Sequence, residues 1–188
     1  RSSSLTFSFI WWGKNWENGC VKKTIDRHYL EIKSCNALIE SLPPKLECSV
    51  KILDPDDFQI NKFFYKNVGK KHSWTDRLTW SERDWIKYSS DPKIETYILK
   101  VKDDFAGFFE LIFHLDPRET EIAYFGLLEE YQNKKLGGYL LSIAIKNSFK
   151  KKNIKRTWVH TCTLDHKNAL KNYLARGMKI YKKETIKI

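Results

Sequence analysis

Acidic residues are almost missing from the end of this sequence. Between positions 133 and 188 there are two, Asp165 and Glu184, against 15 lysines and arginines, so that part carries +13. The preceding residues carry −2, and the whole chain +11. A half so basic suits a polyanionic cofactor or a nucleic acid, or it reflects a bias toward lysine, which supplies 27 of the 34 basic residues. Long apolar runs are also lacking, which excludes a membrane-spanning helix. The most apolar stretch near the start, residues 4–12 (SLTFSFIWW), has neither the length nor the small-residue cleavage pattern of a signal peptide. Cys20, Cys35, Cys48 and Cys162 form no C-x-x-C pair, which points to reduced thiols in the cytoplasm. There is no internal repeat, low-complexity tract or linker, so 188 residues are read as one domain with a real core.

What is present is periodic. Residues 4–12 favour a strand, with Trp11, Trp12 and Trp16 clustered nearby, and 28–32 are a second strand candidate. Pro43-Pro44 breaks the chain before an alternating strand at 46–53. Asp54-Pro55-Asp56-Asp57 reads as a helix start. A polar-aromatic loop follows at 72–78, then a helix from Ser81, where Ser-Glu-Arg-Asp is close to a capping box. Strands at 95–101, 106–115 and 121–128 are joined by short turns, which predicts an antiparallel meander. A helix at 136–151, a strand at 156–163, a helix at 166–175 and a strand at 178–183 complete the chain.

The stretch EIAYFGLLEEYQNKKLGGYLL, from position 121 to 141, organises the rest. An apolar strand leads through a polar turn into a helix, and a helix N-terminus presents unpaired N–H groups at the positive end of its dipole. Asn133, Lys134, Lys135, Leu136, Gly137 and Gly138 therefore form a candidate seat for a phosphate-bearing ligand.

This stretch resembles the acetyl-CoA loop of the GNAT superfamily of N-acetyltransferases, Gln/Arg-x-x-Gly-x-Gly/Ala. Gln132 and Gly137 match its outer positions, and Lys135 stands where the first glycine is usual. A second match is the family's Asn-x-x-Ala-x-x-x-Tyr-x-x-x-Gly-Phe: Ala169, Tyr173 and Gly177 fall in register, with His166 and Met178 at the two ends. The stretches YFGL, WTDRL and WVHTCTLDH are similar to one bacterial subfamily. The resemblance implies an α/β fold of GNAT type, a central mixed and mostly antiparallel sheet flanked by helices. Residues 46–188 form the acetyltransferase domain and 1–45 an N-terminal extension of it. It also implies acetyl-CoA as co-substrate, with the backbone of Phe125, Gly126 and Leu127 on the pantetheine arm and His166 beside it. Gly126 is expected to permit a bulge that splays this strand from the next.

Acetyl transfer requires a base for the amine, a held thioester and a proton for the departing thiolate. Glu121 lies eleven residues before Gln132, the spacing of the glutamate base in histone-acetylating members, and is the candidate base; Glu110 is the reserve, and a water chain the other option. Tyr173 matches the family's proton donor, since a phenol stays protonated at neutral pH. Trp74, Asp76 and Arg77, polar and aromatic without core periodicity, are candidates for substrate contact or for helix-entry packing. His160, Cys162 and His166 are too few for a metal site, and none is expected. The expected partner is a small-molecule or peptide amine, with no membrane, nucleic acid the less favoured partner, and a monomer or homodimer. A GNAT fold that binds acyl-CoA without turnover, or a nucleic-acid-binding protein using the basic third, are the alternatives.

Overall fold

The computed structural model describes residues 24–151 and 153–187. The strand expected at 4–12, its tryptophans and Cys20 lie outside them. Seven strands form one sheet: β1 (Thr24–Ile32), β2 (Cys48–Ile52), β3 (Ile94–Val101), β4 (Asp104–His114), β5 (Glu119–Leu127), β6 (Arg156–Cys162) and β7 (Lys179–Lys187). Their order is β2-β3-β4-β5-β6-β1-β7. Every neighbouring pair is antiparallel except β5 and β6. The mixed, mostly antiparallel sheet and the β3–β4–β5 meander agree with the sequence reading. One placement is new: β1, from the N-terminal extension, is an interior strand between β6 and β7.

Helices cover both faces. On one side lie α1 (Phe58–Gly69) and α2 (Glu82–Ser89), on the other α3 (Leu136–Ser148) and α4 (Ala169–Ala175). The strands read as near-continuous apolar runs because successive side chains enter two different cores. Tyr97, Leu99, Phe109 and Leu111 join Leu136, Leu140, Leu141, Ala144 and Ile145 of α3. Ile98 and Phe108, alternating with them, join Phe64 and Val68 of α1. The rings of Phe64 and Phe108 stack with centroids 5.2 Å apart. Truncating one of these fully buried leucines would cost roughly 2–5 kcal/mol.

The ends of the helices follow from local chemistry. Asp54 accepts a hydrogen bond from the Asp56 N–H at 3.0 Å, which starts a single 3-10 turn leading into α1. Ser81 and Asp84 form the reciprocal capping box of α2. α3 stops at Ser148, short of the expected 151, because Thr120 Oγ1 donates to the Ser148 carbonyl at 2.7 Å. This satisfies one of the orphan carbonyls of the last turn from the sheet itself. α4 begins at Ala169 rather than 166: Asp165 accepts from Thr161 Oγ1 and the Cys162 N–H, at 2.7 and 2.9 Å, and holds the chain in a turn. Among the described residues no helix is long and apolar enough to cross a membrane.

Candidate active site

β5 and β6 pair in parallel over three residues only, Glu119, Glu121 and Thr120 between them facing Arg156, Trp158 and Thr157. Beyond the rung formed by Glu121 and Trp158 the two strands part. β5 continues to Leu127 beside β4, while β6 continues to Cys162 beside β1. The closed end of this V is clamped by charge. Arg156 donates from Nε and Nη2 to Glu119, at 2.6 and 2.9 Å, and from Nη1 to Glu31 of β1 at 2.9 Å. The two carboxylates push the Arg156 pKa further above its ordinary value.

The open end of the V exposes backbone of β5 that β6 does not pair, including the segment Phe125–Leu127. Here the bulge does not lie at Gly126. The β4–β5 register shifts between Glu110 and Leu111, which face Tyr124 and Ile122, so Ala123 is the extra residue. Gly126 serves a different purpose: a Cβ on it would collide with Val68 of α1. The missing side chain lets α1 lie against this part of β5.

The α3 N-terminus stands at the same end. Asn133 and Lys135 both adopt left-handed backbone, with φ of 59° and 61°. Lys135 thus holds the conformation that a glycine would take without strain, at a cost of roughly 1–2 kcal/mol. Among the described residues no side chain caps the helix and no acid lies in its first turn, so the amides following Lys135 have no side-chain acceptor there. This is the chemistry of an anion seat, and the residues present fit the pyrophosphate of a CoA. Gly137 has room around it, since a Cβ would lie 3.6 Å from Asn172 Nδ2 and 3.9 Å from Leu127 Cδ1. Its carbonyl accepts from Asn172 Nδ2 of α4 at 3.2 Å. A Cβ on Gly138, by contrast, would stand 2.5 Å from Arg176 Nη1 and 2.9 Å from Ser41 Oγ. The sequence reading missed Arg176, whose guanidinium rests over this first turn.

Tyr173 is 6% exposed and faces Phe125 across the V, with ring centroids 6.3 Å apart. Burial first, and Asp165 second, push its pKa up and keep the phenol protonated. His166 lies at the mouth. Its Nδ1 accepts from the Asn168 N–H at 3.2 Å, and its ring is 6.3 Å from that of His72, which comes from the α1 side. Burial, then His72 and Lys167, lower the His166 pKa.

On the α1–α2 face, Glu121 is 15% exposed and accepts from His114 Nε2 at 3.1 Å. Glu110 is unsuited to act as the base. It is fully buried, Arg77 Nη1 lies 3.0 Å from both of its oxygens, and Tyr88 donates to Oε2 at 2.6 Å. The Arg77 guanidinium is 4% exposed and enclosed by rings, at 4.0 Å from that of Tyr88, 4.2 Å from Tyr124 and 4.8 Å from Trp80. Asp76 accepts from Tyr65 and Tyr124 at 2.7 and 2.6 Å, and Trp74 packs edge-on to Tyr124 at 4.7 Å. The loop at 74–77 is therefore bound into the wall of the site. Asp76 and Trp74 are half-buried, and Arg77 has its polar contacts inside the protein. Among the described residues no group of three or more His, Cys, Asp or Glu side chains converges as metal ligands would.

Three bases of the last part of the chain pair with acids of the first. Lys146 pairs with Glu40 at 2.7 Å, Lys151 with Glu95 at 3.7 Å, and Arg156 with Glu31 and Glu119. Acids from the first part of the chain neutralise these bases from the last.

Residues 57–178 match the sequence model described as the Acetyltransferase (GNAT) family. No curated protein matches the chain in sequence. Solved structures do share its fold. One is a GCN5-related N-acetyltransferase from Sphaerobacter thermophilus, at 10% identity and a TM-score of 0.66, with 87% of this chain and 52% of that one covered. Another is a GCN5-related N-acetyltransferase from Kribbella flavida, at 12% identity and 0.64, with 86% and 57% covered. A spermidine N-acetyltransferase from Vibrio cholerae, solved with CoA and spermine, aligns at 16% identity and 0.57, with 75% and 95% covered. The chain thus spans little more than half the length of the first two.

Proposed function

Because the chain belongs to the GNAT acetyltransferase family, we propose that it transfers the acetyl group of acetyl-CoA to a primary amine by direct attack within a ternary complex. The observation that carries this reading is the parting of β5 and β6 beside the uncapped N-terminus of α3. Acetyl-CoA supplies an activated thioester when bound. The amides of residues 133–138 take its pyrophosphate, and Lys135 adds positive charge at the same place. The unpaired edge of β5 at Phe125, Gly126 and Leu127 holds the pantetheine arm as a further strand would and offers an N–H to the thioester oxygen. His166 stands at the mouth beside this arm.

The amine enters from the α1–α2 face, past Trp74 and Asp76. Glu121 removes its proton, and Tyr173, kept protonated by burial, gives one to the departing thiolate. The acceptor class proposed is a small-molecule or peptide amine. The spermidine enzyme of the same fold makes spermidine a reasonable first probe.

Thermal unfolding with and without acetyl-CoA tests the site. At ~100 times Kd the ligand adds roughly 2.7 kcal/mol. At about 2–4 °C per kcal/mol for this chain length, the midpoint rises by roughly 5–11 °C. No rise at millimolar acetyl-CoA would refute the cofactor site. A rise without release of free CoA, across a panel of amines, would leave an acyl-CoA-binding module and refute the transferase.

A further inference from the structure

Glu121 has one protein partner that the reaction scheme leaves unused. We propose that His114 is a positioning residue for Glu121, fixing one carboxylate oxygen so that the other faces the amine. This rests on the assignment of Glu121 as the base.

The geometry gathers three strands. Glu121 of β5 lies opposite Ile112 of β4 and Trp158 of β6, in the last rung before the V opens. Two residues beyond Ile112, on the same face of β4, His114 reaches diagonally across and donates from Nε2 to Oε2 at 3.1 Å. The imidazole is itself held. Its ring lies 6.3 Å from that of Trp158 with the planes 18° apart, so β6 sets the plane in which the donor points. The carboxylate is 15% exposed and the imidazole 38%. The histidine is the more solvent-facing partner of the pair.

Among the described residues no other side chain makes a hydrogen bond to this carboxylate. Glu119, the next acid on that face of β5, is held by Arg156, which also holds Glu31. His160, two residues past Trp158 on β6, is exposed, and among the described residues it makes no hydrogen bond to Glu121. Oε1 of Glu121 has no protein partner among them either, which makes it the oxygen available to an ammonium group. An imidazole donates from Nε2 both as the Nε2–H tautomer and as imidazolium, so the bond survives changes in its charge. Without the donor the carboxylate is free to rotate, and a base so released loses part of the advantage that alignment gives.

The test compares the parent chain with H114Q, H114L, E121Q and the double variant H114L/E121Q. The readouts are CoA release with acetyl-CoA and spermidine, and the acetyl-CoA-dependent rise in melting temperature. Glutamine keeps a donor near the Nε2 position, so H114Q should stay within about twofold of the parent in kcat. H114L should fall by about tenfold with KM and the melting rise unchanged. In the E121Q background, H114L should add nothing. A kcat for H114L equal to the parent's would overturn the proposal, as would an equal loss in the E121Q background, which would mark an effect unrelated to Glu121. If acetyl-CoA raises the melting temperature but the parent releases no CoA with any amine, the transferase reading fails and this inference with it. Turnover in the parent with H114L undiminished refutes the inference alone.

Discussion

Replacing Arg77 by methionine would separate a structural arginine from a substrate contact. The change keeps an unbranched, though shorter, side chain directed toward the rings of Tyr88, Tyr124 and Trp80 but removes the cation. Glu110, with no exposed surface, would retain only the Tyr88 hydroxyl as a partner. Breaking a buried pair on one side typically costs roughly 3–5 kcal/mol, because the remaining charge is neither paired nor hydrated. For a domain of this length that is a fall in melting temperature of roughly 6–20 °C. Removing both charges, in R77M/E110Q, should recover part of the loss, since no ion is then stranded. Melting followed by circular dichroism, with urea titration for the free energies, gives the coupling between the two sites. KM for the amine should be unchanged for R77M below its transition. A variant that melts within about 2 °C of the parent while its amine KM rises would refute the reasoning and return Arg77 to the substrate.

Four other outcomes can be checked directly. Gly137→Val has space in the fold, so it should leave stability almost unchanged yet weaken acetyl-CoA binding by titration calorimetry; undiminished affinity would sink the phosphate seat. Lys135→Gly removes a left-handed lysine, whose strain of roughly 1–2 kcal/mol is offset by the roughly 0.5–1 kcal/mol entropic cost of glycine. Its melting temperature should hold or rise by a few degrees while CoA affinity drops and becomes less salt-dependent, and a clear fall in melting temperature would contradict the backbone assignment. Glu121→Gln should lower turnover most at low pH without changing acetyl-CoA affinity, and equal activity across pH would remove it as the base. Because burial lowers the His166 pKa below 6.5 in the fold, the unfolded chain binds more protons below that pH. The histidine then favours folding at higher pH and withdraws that support as pH falls through 6.5. His166→Gln should flatten this part of the stability profile, and an unaltered slope would refute it.

Local signals placed most of the elements correctly. The Ser81–Asp84 box, Asp54-Pro55 and the short turns of the meander act within a few residues, and such chemistry is visible in order along the chain. The helix beginning at Leu136 was also legible, because Leu136, Leu140 and Ile143 are spaced for one helical face. What escaped notice depends on partners distant in sequence. For Trp74, Asp76 and Arg77 the sequence leaves substrate contact and packing both open, and the enclosing Glu110, Tyr65 and Tyr124 come from elsewhere. The bulge at Ala123 is set by register against β4, and no residue type announces it. His114 and Glu121 are nearer in sequence, on either side of the β4–β5 turn, but only the register of the two strands shows that they meet. The end of α3 and the start of α4 were misjudged because Thr120 and Asp165 satisfy those backbone groups from outside the helices.

The interior position of β1 reaches beyond the active site, into how the chain is made. Glu31 meets Arg156 across 125 residues, and Tyr29 donates to Glu184 across 155. On a ribosome adding about 5–20 residues per second, β1 would emerge and wait roughly 6–25 s before β6 exists to receive it. Its apolar Leu30 and Ile32 would be uncovered for that time, and the closing of so distant a contact should slow the final folding step. Newly made chains would then be most prone to aggregate before the segment carrying β6 and β7 is complete. Moving the β1 segment to follow β7, in a permuted chain, would shorten that interval.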